Sequence, residues 1–73
     1  MNLSESKTNQ KYKIIKNTAN VQLKQRLLSM GFIKNSEILV LIKNNKVLKV
    51  KISNSSVVLR LEESKFIIIE KIN

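Results

Sequence analysis

The 73-residue chain has no cysteine, no histidine, no aspartate and no proline, and it has a single glycine, Gly31. Without cysteine there is neither a disulfide framework nor a thiolate metal site, and a reducing cytosol is the compartment that fits. Without histidine or aspartate the usual transition-metal ligands and the commonest general base are missing, so no metal and no cofactor are expected. Carboxylates number five, Glu5, Glu37, Glu62, Glu63 and Glu70, and the adjacent pair Glu62-Glu63 reads as a solvated turn, since a hard-cation site needs more converging oxygens. Paired carboxylates acting in catalysis also need an enclosed cleft, for which so short a chain has little room, and a non-enzyme is expected. Aromatics are limited to Tyr12, Phe32 and Phe66, which leaves an aliphatic core and little for bases to stack on. No run approaches the roughly 18 apolar residues of a membrane span, and Met1 to Gln10 is too polar for a signal peptide.

What the chain does have is charge of one sign. Fourteen Lys and Arg against five acids give +9, which attracts phosphates or anionic lipid. Lysine, isoleucine and asparagine number 12, 10 and 9, and all three have AT-rich codons, so base composition is an equally good source of the excess. Only Arg26 and Arg60 carry the guanidinium preferred for bidentate phosphate or base recognition. A small basic barrel binding nucleic acid through its phosphates stays as the alternative function.

Periodicity divides the chain, which is long enough for one domain. Residues 1–9 are polar and read as a flexible lead-in. Tyr12 to Lys16 is a short strand, and Thr18 or Asn20 can cap the next helix. Leu23, Leu27 and Met30 fall at i, i+4, i+7 and predict one face of a helix over Val21 to Met30, a stripe that reads as core. Gly31 then stands where a helix ends, at a position needing a left-handed backbone, with Phe32 folding back over the last turn.

The pattern then switches to strands. Ser36 to Lys43 and Lys46 to Ser53 flank Asn44-Asn45, a two-residue hairpin turn. That turn places Leu39, Leu41, Leu48, Val50 and Ile52 on one apolar face and mixes Ile38, Val40, Ile42 and Val47 with Lys49 and Lys51 on the other. Apolar area with a charged rim is the anatomy of a binding patch, so Val40, Ile42, Val47, Lys49 and Lys51 are the candidate partner-binding residues; the other reading is that another element covers them. A turn at Ser53 to Ser55, a strand over Ser56 to Leu61, one helical turn at Glu62-Glu63-Ser64 and a strand over Phe66 to Lys71 complete the chain. Ile67 to Ile69, apolar on both faces, predict a strand buried on both sides or nearly so. The expected fold is mainly β, a small barrel of about five strands with one short α-helix between the first and second strands.

The run Arg26-Leu27-Leu28-Ser29-Met30-Gly31-Phe32, then Glu37 to Leu41, then Val58 to Ile69, resembles the ferrous iron transport protein A family, FeoA, over about Leu3 to Ile72. The resemblance implies a small SH3-like barrel and a cytoplasmic, non-enzymatic partner of FeoB, the membrane GTPase that imports ferrous iron, held near the inner membrane face through that partner. A related barrel forms the C-terminal domain of metal-dependent repressors, but no DNA-binding helical domain precedes this one, which favours the transport role. Arg26, Leu27, Met30, Gly31 and Arg60 match the family as structural motif positions. The two arginines either reach a partner's carboxylates or pair with nearby glutamates. Where the family usually has glycines, at the first turn and after the helix, this chain has Asn9 and Asn35, the next-best residues for a left-handed backbone. The hairpin arm, commonly longer in the family, is cut to Asn44-Asn45. Exposed β edges in so small a barrel allow a homo-oligomer.

Overall fold

The structure, a computed structural model, describes residues 1–72. Strand β1 (Lys11–Asn17) leads into helix α1 (Val21–Ser29), and three strands come after it, β2 (Glu37–Lys43), β3 (Val47–Ile52) and β4 (Ser55–Arg60); a single turn of helix, α2 (Leu61–Ser64), connects to β5 (Ile67–Lys71). The strands form one antiparallel sheet in the order β4-β3-β2-β1-β5. Irregularities between Ile14 and Lys16 in β1 and between Val40 and Ile42 in β2 bend it, as bulges do by placing two residues of one strand against one of its neighbour. Its concave side encloses one aliphatic cluster that includes Ile14, Ile38, Val40, Leu48, Val50, Leu59, Ile67 and Ile69, with Tyr12 and Phe32 as its two aromatics. In β5, Ile67 and Ile69 are buried and Ile68, between them, is of intermediate burial, close to the two-sided burial that its sequence predicts.

Helix α1 starts where expected, because the Asn20 side chain accepts the Leu23 N–H at 2.9 Å and satisfies a donor the first turn leaves free. It stops at Gly31, whose φ is +106°. The Phe32 N–H donates to the Leu27 carbonyl and the Gly31 N–H to the Leu28 carbonyl, at 3.1 and 3.0 Å, which is the paired bonding of a Schellman cap. Leu27 and Phe32, at either end of the longer bond, are both fully buried. Leu23 and Met30 pack on the core from the same stripe.

Two expectations are corrected. The N-terminal segment is part of the fold: Leu3 is fully buried, and Leu3–Glu5 forms a 3-10 turn capped by the Asn2 side chain. Asn2 bridges Ile68, and the Lys43 ammonium donates to the Ser6 carbonyl at 2.8 Å. One buried leucine and these bonds outweigh the segment's polar composition, since burying such a side chain contributes about 1.5–3 kcal/mol. The second correction is the hairpin. Its turn pivots on Asn45 and Lys46, because the Asn44 side chain accepts the N–H groups of Lys46 and Val47 at 2.8 and 2.9 Å while the Asn44 N–H donates to the Val47 carbonyl at 3.1 Å. No positive φ is needed there. The left-handed residues are Asn9, Asn35 and Ser53, at φ of 64°, 74° and 54°, so both asparagines expected to take that backbone do adopt it.

Gly31→Ala should lower stability by about 1 kcal/mol or more, because it forces positive φ on a residue with a Cβ and brings that Cβ to 3.2 Å from the Ile52 methyl; an unchanged Tm would contradict it. At Asn35 the order expected by thermal denaturation is Gly about equal to Asn, with Ala lower by about 1 kcal/mol, or roughly 4–8 °C in Tm.

Candidate partner-binding face

Because alternation in β2 restarts after the bulge, the two halves of that strand present opposite parities to the core. Ile38 and Val40 pair with Ile52 and Val50 and are buried. Two residues on, Ile42 pairs with Lys49 and is 52% exposed. Val40 therefore leaves the candidate set: it is 0% exposed and belongs to the core. Leu39 and Leu41, expected inside, are only half-buried, whereas the β3 half of the expected core face, Leu48, Val50 and Ile52, is buried as anticipated.

The remaining candidates come together. On the outer face of β2, β3 and β4 the register sets Ile42 beside Lys49 beside Val58, Leu39 beside Lys51 beside Ser56, and Val47 beside Arg60. Val58 is 54% exposed, and it is a member that sequence reasoning missed. Alternation in β4 does put Val58 opposite Val57 and Leu59, but only the bulge brings Ile42 into its row. The result is a mixed face in which exposed Ile42 and Val58 flank Lys49, Val47 lies beside Arg60 in the next row, and Lys51 stands in the row on the other side. Two glutamates border it: Glu37, opposite Lys13, shares a hollow with Leu39 and Lys51, and Glu62 sits 3.9 Å from Arg60 with both side chains about three-quarters exposed, a pair of little energetic weight.

The motif arginines take the local partner rather than standing free. Arg26 forms an ion pair with Glu63, whose second oxygen accepts the Arg60 N–H at 3.0 Å. Glu63 thus ties α1 to the start of α2, and its side chain is only 15% exposed, which corrects its reading as solvated. Arg26, Met30, Val47, Val58, Arg60 and Glu63 line a shallow hollow between the end of α1 and this face. Among the described residues no three acidic, histidine or cysteine side chains converge as a metal site would require, and no helix is long and apolar enough to cross a membrane.

Known proteins share both sequence and shape. The FeoA domain family matches residues 1–71. The putative Fe(2+) transport protein A of Campylobacter jejuni is 41% identical over 69 residues, covering 92% of this chain and 93% of that protein. The fold is that of an iron uptake regulatory protein, FeoA, with a TM-score of 0.93 at 18% identity over 99% of this chain and 97% of the other. Stenotrophomonas maltophilia FeoA, a zinc complex described as a prokaryotic SH3 domain protein, is similar with a TM-score of 0.85 at 25% identity, covering 96% of this chain and 89% of its own. With the match running through every element from the buried Leu3 to β5, the chain belongs to the FeoA domain family, associated with ferrous iron transport, and is built as its SH3-like barrel.

Proposed function

We propose that this chain is a non-enzymatic accessory protein of bacterial ferrous iron uptake that docks on the cytosolic part of a FeoB-type membrane GTPase transporter and acts on its assembly or activity. The observation that supports the reading is the outer face of β2 to β4, where exposed Ile42 and Val58 stand on either side of Lys49 and half-buried Val47 adjoins Arg60, with Lys51 beyond them. Apolar side chains that lose water on contact, beside charges that set orientation and encounter rate, are how transient protein interfaces are built. The protein works on the cytoplasmic side, next to the membrane through its partner. The membrane-embedded transporter carries the ion; this chain contributes contact surface.

Nucleic acid is the weaker reading. Tyr12 and Phe32 are buried, and the exposed Phe66 lies between α2 and β5, outside β2 to β4, so the basic face offers aliphatic side chains between its lysines rather than rings on which bases could stack.

A variant carrying Ile42→Ala and Val47→Ala should keep the circular dichroism spectrum of the parent, because neither side chain is in the core, and lose about tenfold or more in affinity in pull-down or titration with the transporter's cytosolic domain. Unchanged binding by the folded variant would refute docking through this face. Affinity for a generic oligonucleotide that fell steeply with salt while transporter binding was absent would favour the phosphate-binding alternative.

A further inference from the structure

We propose that the partner engages this face by adding an extended, acidic segment as a new strand along the free edge of β4, a mode that rests on the docking reading above. The sheet ends in β5 on one side and β4 on the other. The outer edge of β5 is occupied, since Asn2 bridges Ile68 and the Ile69 N–H donates to the Met1 carbonyl at 2.8 Å. β4 has no such cover. Its parity is set at its far end, where the Leu61 N–H donates to the Lys46 carbonyl at 2.9 Å. Counting back along the register, Leu59, Val57 and Ser55 share their peptide groups with β3, and those of Ser56 and Val58 point away from it. Arg60, the next outward position, spends its N–H on Glu63. Among the described residues no hydrogen bond outside the ladder with β3 reaches Ser56 or Val58, and both residues are exposed.

Edges that avoid pairing carry lysine, proline or a bulge. The β4 sequence Ser55-Ser56-Val57-Val58-Leu59-Arg60 has no lysine or proline, and its register with β3 runs without a shift. It is an open template, and charge chooses the occupant. A second copy would bring another +9 to an edge already flanked by Lys49, Lys51 and Arg60, and like charges set side by side oppose pairing. A strand with carboxylates on the outer side is attracted to the same three cations, while main-chain bonds to Ser56 and Val58 supply affinity that does not depend on its remaining sequence.

Hydrogen exchange measured on the protein alone and with the cytosolic domain of a FeoB-type transporter tests this. The Ser56 and Val58 amides should exchange freely in the first case and slow by about tenfold or more in the second, as a newly paired donor does. Ser56→Pro removes an N–H that the fold leaves unused on an edge strand and a side chain outside the apolar contacts of this face; it should retain the native spectrum and weaken binding by about tenfold or more, whereas Ser56→Ala should stay within about threefold. If a complex forms with both amides unprotected and Ser56→Pro binding normally, strand addition is wrong and docking by side chains stands. Absence of any complex overturns both readings. Protection of the same amides in a dimer of the free protein would assign the edge to a second copy and overturn the acidic occupant.

Discussion

The left-handed turn at Gly31 is the constraint on which the rest of this small barrel depends. Helix α1 must end there, because at φ of +106° the helical bonding pattern cannot continue, and its last carbonyls are satisfied by the Gly31 and Phe32 N–H groups instead. The same reversal drives Phe32 into the core, where it is the largest fully buried side chain, and delivers the chain to the start of β2. Ile52 of β3 packs so closely over Gly31 that a methyl group there would press on it. Helix end, core aromatic and central hairpin are therefore fixed by one backbone conformation, and the ion pair between Arg26 and Glu63 adds only a local tie between α1 and α2.

A second local event decides which surface the protein shows. A regular β2 would send Ile38, Val40 and Ile42 to one side. The extra residue at the bulge splits them, sending the first two inward to Val50 and Ile52 and the third outward beside Lys49. An aliphatic side chain that would otherwise fill the core is thereby left half exposed, at a cost of roughly half the 1.5–3 kcal/mol that full burial contributes. Such a cost is consistent with selection for contact with something else.

Much of this was legible from residue order. The helix, a cap at Thr18 or Asn20 and its Gly31 end rest on backbone chemistry, which is local and specific to a few residue types, while Asn9 and Asn35 are marked by the resemblance to FeoA. Leu3 escaped notice because a single apolar residue in a polar segment has no period. The face of β2 escaped it because residues 38 to 42 are all aliphatic, so alternation is silent and only the pairing partner decides. Val58 joined the candidate face for the same reason: its neighbour Ile42 is defined by a bulge that no composition marks. Burial of Val40 is a direct consequence of that geometry.

Under the docking reading proposed above, the chain's contribution to iron transport turns on which surface meets the transporter. Ile42 and Ile33 offer a direct comparison, since both are isoleucines about half exposed, at 52% and 54%, and only Ile42 lies on the face with Lys49 and Lys51. A photo-crosslinking residue placed at each position in turn, irradiated with the cytosolic domain of a FeoB-type transporter, separates them. The account predicts an adduct from position 42 and little or none from position 33. Crosslinking from 33 with none from 42 would contradict it.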